Sequence, residues 1–487
     1  MIALVLATMF VMQAPSVEQK AAQAKSLMES GKFAEAAVLW GELVKAMPGN
    51  PGLLLNQGMA LHLSGADAKA IPVLELAAKG GAPPAFLFLG ASYLRTGQAT
   101  KALAPLKRFA AADPRHVEAR LMLVDAAGLT GQPAEALPHL EALANLDPQR
   151  PMVWYQLGRT YEELAVAEFA QLEKQFPESG PFFALLADSR SKVSQNRAAF
   201  FFYRRALAKS PGMRGLHAAI AEIYRRTGEP SWALSEDVAE LKLGEPKCNA
   251  VKTAECAFVV GNLPQTIALA RAMRTADGYY WRVRAYDGLA RKAFMRLGQL
   301  PESAEGFRFQ AEAHRDANRH AEAAASWREA LRLMPGQPEY ARELISSLLQ
   351  TKEYALAQKE LDPLLASSPT ADLNFLQGDL FLAQQLPDQA IVFLKKAAAQ
   401  DPRLLAARAA LARALLQAGQ PAEALPHATA ALPIDTDGSL HFQLARAYQS
   451  AGQPERAAAA MAKYQQIQAR AKEQERMADE QAKITPP

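Results

Sequence analysis

One spacing dominates the chain. Glycines at Gly31, Gly65, Gly97 and Gly131 follow one another at steps of 34, 32 and 34 residues, and the same place later holds Gly228, Gly261, Gly419 and Gly452. About five residues after each comes a small side chain: Ala36, Ala70, Ala102, Ala136, Ala233, Ala424 and Ala457. Some seventeen residues after the glycine a proline recurs at Pro48, Pro114 and Pro148, with Pro211, Pro335, Pro369 and Pro402 in equivalent places. Self-similarity at such a period marks a row of stacked supersecondary units, not one closed core.

Each recurring residue has its own physical role. Glycine tolerates the left-handed backbone that other residues resist, so a first helix can stop and the chain reverse within about three residues. Alanine lets the two helices approach closely. Proline drives the residue before it out of the helical region, so Asp113-Pro114, Asp147-Pro148 and Asp401-Pro402 end a second helix. A single hairpin cannot bury both faces, so the units must stack. Composition agrees: apolar residues make up 50% of the chain but aromatics only 8%, which leaves helix-forming alanine and leucine as the bulk. The predicted fold class is all-α.

The unit carries an aromatic at its fourth place, Leu and Gly at the seventh and eighth, Tyr at the eleventh, Ala at the twentieth and Pro at the thirty-second. Trp154, Leu157, Gly158 and Tyr161 express it most clearly, followed by Phe88, Leu89, Gly90, Tyr93, Gly97, Ala102, Leu106 and Pro114. This pattern resembles the tetratricopeptide repeat. The resemblance implies an α-solenoid of helix-turn-helix units wound into a right-handed superhelix, with fourteen unit-like segments between about residue 17 and residue 470.

Two stretches depart from the hairpin pattern in the same way. From Val153 to Phe176 and from Tyr279 to Leu300 there is no turn signal, so each is predicted to be one long helix interrupting the array. Each is followed by Pro-Glu-Ser, at 177–179 and 301–303, and residues 177–212 match 301–336 at eleven of 36 positions. A duplicated block of about 124 residues accounts for this. The expected organisation is a regular array at 17–150, an irregular block at 151–275, its copy running into regular units at 276–470, and a charged helical cap with a frayed Ile-Thr-Pro-Pro end at 471–487.

Residues 1–16 read as a signal peptide. Ile2 to Met12 is an apolar run of eleven residues, too short to span a bilayer, with a small-residue cleavage site after Ser16. Export to the periplasm or outside the cell is the expected localisation, the cytoplasm the alternative, because no Lys or Arg precedes the run. The two cysteines, Cys248 and Cys256, would stand about 12 Å apart on one straight helix, beyond disulfide reach. A bridge requires Cys248 to lie in the loop and fold back over the helix start, which Pro246 and Asn249 allow; otherwise the two are small buried hydrophobes. Spacing leaves both open.

Nothing in the chain points to catalysis. Gly31-Lys32 lacks the rest of a phosphate-binding loop, and there is no His-Glu-x-x-His, Gly-x-Ser-x-Gly or Cys-x-x-Cys. Eight histidines are scattered over different units, and no catalytic, cofactor-binding or metal-binding residue is expected. Lys and Arg number 54 against 50 Asp and Glu, for a net charge of +4 without any basic block, which excludes nucleic acid as a partner.

What remains is a binding surface. The resemblance implies that first helices line a concave groove, and family positions place Tyr155, Arg159, Glu162, Glu222, Arg225, Tyr280, Trp281, Arg284, Arg308, Glu312 and Arg315 in it. Arginine and aromatic side chains together anchor extended peptide well, although alternating Arg and Glu also suit ion pairing between units. The chaperone-type carboxylate clamp is not matched, since only Asn56 fits while Ala21 and Lys25 fill the first unit's places. The expected function is a non-enzymatic scaffold for protein or peptide partners, in association with an envelope complex. The alternative is an envelope assembly or secretion factor recognising polysaccharide or a secreted substrate.

Overall fold

The structure, a computed structural model, describes residues 16–246, 248, 252–481 and 483–487, with the side chains of 474–481 outside the description. The apolar run Ile2–Met12 therefore lies outside the described residues. Among them no strand occurs, and 26 α-helices follow one another. The described residues divide into two compact units, one of those up to 165 with 289–293, the other of those within 166–288 and 294–487.

The first unit begins with four hairpins: α1 (Val17–Glu29) with α2 (Phe33–Ala46), α3 (Pro51–Leu63) with α4 (Asp67–Lys79), α5 (Pro83–Arg95) with α6 (Ala99–Ala112), and α7 (Val117–Leu129) with α8 (Pro133–Leu146). Then comes α9 (Pro151–Gln175), at 25 residues the first uninterrupted long helix. The second unit holds α10 (Gly180–Lys192), α11 (Asn196–Lys209), α12 (Leu216–Arg226), α13 (Pro230–Leu243), and the short α14 (Ala254–Val259) and α15 (Leu263–Arg271). The second long helix, α16 (Ala276–Gly298), has 23 residues. Five more hairpins follow: α17 (Ala304–Asp316) with α18 (His320–Leu333), α19 (Pro338–Gln350) with α20 (Tyr354–Ser367), α21 (Ala371–Ala383) with α22 (Pro387–Gln400), α23 (Leu405–Gln417) with α24 (Pro421–Ala431), and α25 (Ser439–Ser450) with α26 (Pro454–Gln481). The unit boundary falls inside α9 and α16. Both long helices lead into the same local design: the Pro-Glu-Ser serine, Ser179 or Ser303, caps the next helix by accepting from the backbone N–H of Phe182 or Gly306.

Close approach at two places sets the hairpin. The recurrent alanine is shut off from solvent, with 0% exposure at Ala36, Ala70, Ala102, Ala233 and Ala424. The glycine inside the first helix faces a leucine of the second: a Cβ on Gly58 would lie 2.4 Å from Leu74, one on Gly90 2.4 Å from Leu106, and one on Gly378 2.4 Å from Leu394. First helices of successive hairpins also touch, α3 with α5 and α5 with α7 in the first unit, α19 with α21 and α21 with α23 in the second. In each array they form one continuous face.

The turn glycines have φ between +65° and +88°. Four hairpins make the same left-handed turn without glycine, at Ser194, Asn318, Lys352 and Gln385 (φ +59°, +56°, +62° and +62°). The hydrogen bonds that close the turn are retained: the N–H of Glu353 donates to Leu348 O at 2.9 Å, as that of Gln98 does to Tyr93 O at 2.8 Å. A left-handed non-glycine residue costs roughly 1–2 kcal/mol, and glycine's greater freedom in the unfolded chain takes back about half of any relief. Lys352→Gly and Gln385→Gly, at exposed sites, should therefore each raise the stability of their hairpins by about 0.5–1 kcal/mol, read as hydrogen-exchange protection of the two helices, whereas Asn318→Gly should gain less because Asn tolerates this backbone.

Cys248 and Cys256 are joined by a disulfide, with Cα atoms 5.3 Å apart. Cys248 lies ahead of α14 and Cys256 in its first turn. The C-terminal Ile-Thr-Pro-Pro, expected to fray, is instead placed against α12, where Thr485 accepts a hydrogen bond from Tyr224.

Candidate functional site

Two of the expected groove aromatics are not available to a partner. Tyr155 is 6% exposed and Tyr280 is 4% exposed, so both rings pack inside. On α9 and α16 the helix continues where a regular hairpin would turn, and family positions no longer predict which way a side chain points. Tyr280 accepts a hydrogen bond from Arg284 Nη1 at 2.7 Å, and burial pushes its hydroxyl up to about 12, with Asp188 adding to the effect. Arg284 in turn lies over the Phe258 ring at 4.7 Å. Trp281, half-buried, packs on Phe258 and Tyr280 at 5.4 and 5.0 Å. Beside them Tyr203 donates to Asp188 at 2.6 Å, and its pKa is raised, chiefly by burial.

The expected arginines and glutamates form ion pairs, many of them rungs one repeat apart. Arg308 bonds Glu312 at 3.0 Å and both oxygens of Glu339 at 2.8 and 3.2 Å. Arg315 reaches Glu343 at 3.0 Å, Arg225 pairs with Asp237, Glu222 holds Arg226 at 2.9 Å, and Arg159 holds Glu162 at 2.8 Å. Arg342–Asp372 and Arg413–Asp379, not singled out from the sequence, continue the series at 3.2 and 2.8 Å. Each exposed pair contributes at most about 1 kcal/mol. Their consequence is that these charges already have partners within the array.

A different place has the shape of a site. In the first unit the ends of α5 and α7, the start of α8 and the middle of α9 enclose a cleft of about 980 Å³. Its lining includes the apolar Leu94, Val124, Pro133 and Leu129, the last 71% exposed, and the polar Arg95, Asp125, Gln156, Arg159, Thr160 and Glu163. Gln156 Oε1 is buried and has no hydrogen-bond partner. An unmade bond at a buried acceptor costs about 1–3 kcal/mol, so such a group calls for an explanation. Asp125 is held above its ordinary pKa, first by exclusion of water and second by the charge of Glu118. Of the residues picked from sequence only Arg159 lines this cleft; a buried unpaired amide leaves no trace in a repeat pattern.

One cluster has the residue types of a nucleophilic triad. His62 Nδ1 lies 2.6 Å from Asp67 and 3.0 Å from Ser92. Both partners share one ring nitrogen, whereas a relay needs the carboxylate on one nitrogen and the hydroxyl on the other. Asp67 is further held by Arg95 at 2.9 Å, which makes the cluster a strut between the second and third hairpins. Among the described residues no three His, Cys, Asp or Glu side chains are placed to share a metal ion, and no described helix is long and apolar enough to cross a membrane.

Family models described as tetratricopeptide repeats match residues 21–85, 89–151 and 342–404, then 381–439, then 438–463, together half of the chain. The chain belongs to the tetratricopeptide repeat family. None of the curated proteins matches this tetratricopeptide repeat protein. Solved structures similar to it include MamA from Desulfovibrio magneticus RS-1, 22% identical over 30% of this chain and 85% of that one, with a TM-score of 0.28. A tetratricopeptide repeat protein from Parabacteroides merdae is 12% identical over 82% of this chain and 100% of its own, with a TM-score of 0.34. YrrB, described as having an unusual peptide-binding site, is 20% identical over 34% of this chain and 87% of its own, with a TM-score of 0.29. Likeness at this level concerns the fold alone. As a tetratricopeptide repeat array the chain is built as a protein-interaction scaffold.

Proposed function

We propose that this tetratricopeptide repeat protein is an exported, non-enzymatic scaffold that holds an extended segment of a partner protein in the cleft of its first unit. The unpartnered Gln156 Oε1 carries this reading: it needs a donor, and a turn of the side chain into the cleft that Gln156 lines would bring it to a peptide N–H laid along α9. Exposed Leu129 and half-buried Leu94 offer apolar contact in the same cleft. The disulfide supports export, since such bridges persist in oxidising compartments, as does the apolar run Ile2–Met12. Stacking on a polysaccharide would call on Tyr155, Tyr280 and Trp281, and burial of the two tyrosines leaves only half-buried Trp281 for it.

Peptide display against the folded chain tests the proposal. Extended segments should be enriched, and both Gln156→Met and Leu129→Glu should weaken their binding at least tenfold. Gln156→Met should meanwhile leave stability within about 1 kcal/mol of the parent or raise it, because it removes a buried acceptor that has no bond to lose. Enrichment unchanged by both substitutions would move recognition away from the cleft.

A further inference from the structure

The eleventh-place tyrosines differ in what their hydroxyls meet. Tyr93 donates its hydroxyl to Glu75, and Tyr161 donates to Glu141 at 2.8 Å, in each case a carboxylate on the preceding second helix. At Tyr224 the corresponding stretch of α11 reads Arg204-Arg205-Ala206, with no carboxylate to accept. Its hydroxyl instead donates to the main-chain oxygen of Thr485 at 2.6 Å, from a residue 261 positions on. The ring is buried between Phe200 and Trp232, with centroids 5.5 and 5.6 Å away, and Glu236 and Arg204 act on its hydroxyl. The helix α26 comes back to touch α11, and of the tail Ile484 is half-buried while Thr485, Pro486 and Pro487 are exposed.

The tail's chemistry suits this placement. Residues before proline favour extended backbone, so Thr485 ahead of Pro486-Pro487 is pre-set as a strand-like or polyproline segment. Such a segment makes no internal hydrogen bonds, so its carbonyls are open to side-chain donors, and aromatic surfaces take it at low entropic cost.

We propose that α11, α12 and α13 carry a recognition site for an extended Ile-Thr-Pro-Pro-type segment, which the chain's own C-terminus fills in cis. A partner segment of the same chemistry binds there by displacing the tail. This inference goes beyond the first-unit cleft and does not depend on it. A tethered ligand acts at an effective concentration on the order of 1 mM, so for an intrinsic Kd of about 100 μM the tail weakens binding in trans roughly tenfold.

The test uses a fluorescent peptide of the sequence Lys-Ile-Thr-Pro-Pro, the full-length chain, and a chain ending at Gln481. Titration should show the shortened chain binding the peptide about tenfold more tightly than the full-length chain. Tyr224→Phe in the shortened chain keeps the ring packing and should weaken binding about tenfold, while a scrambled peptide should not bind. Equal affinity of the two chains for the peptide, or no binding to the shortened chain while its thermal unfolding matches the parent, would overturn the proposal.

Discussion

Gly90→Ala is expected to destabilise the first unit by about 1–3 kcal/mol, the range for overfilling a packed interface. The added methyl would arrive 2.4 Å from Leu106 Cγ, and Leu106 is fully buried. Leu106→Ala alone should cost about 2–5 kcal/mol through lost burial and a cavity. Combined, the two changes should cost less than their sum by about 1 kcal/mol or more, because the alanine methyl occupies space that the leucine vacates. The same pairing recurs at Gly58 with Leu74 and Gly378 with Leu394, so the cycle can be repeated there. Because repeat arrays open unit by unit, the readout is hydrogen exchange of α5 and α6 instead of one global transition. Additivity within about 0.5 kcal/mol would show that glycine and leucine are not sterically coupled.

That glycine was readable because its spacing repeats, and so were the alanine, the turn and the two unbroken helices. A period reports only what every unit shares. The left-handed turns at Lys352 and Gln385 escaped it because their closing hydrogen bonds, which glycine usually serves, form around other side chains as well. Tyr155 and Tyr280 were misplaced because the family register holds for hairpins, while α9 and α16 present different faces. Phe200, Phe201 and Phe202, adjacent on one helix, divide between neighbours: Phe200 meets Tyr224, Phe202 stacks on Phe183, and Phe201 lies near Arg205. Such sorting depends on which helices flank α11. Thr485 meeting Tyr224 is a long-range contact that no local pattern encodes.

The cysteine pair could be resolved only by the backbone. On a continuous helix the sulfurs would be too far apart, and the structure ends the helix at Ala254 so that Cys248 lies outside it. With Thr253 capping Cys256 N–H, the bridge ties the start of α14 to the segment before it. At six and nine residues, α14 and α15 fall short of the length at which a helix is even marginally stable alone. Closing a loop of eight residues removes unfolded-state entropy worth about 2.5 kcal/mol. Cys248→Ser should therefore lower the protection of the Ala254–Val259 amides by about that amount in the oxidised protein, and by nothing once dithiothreitol is present. Cys256→Ser should cost slightly more, because it also places a hydroxyl at a site 4% exposed. Equal protection of the parent and Cys248→Ser under oxidising conditions would remove the bridge from the stability of this hairpin. If the loss is found, the hairpin of these two short helices closes fully only where thiols oxidise, which gives the export proposal its physical content.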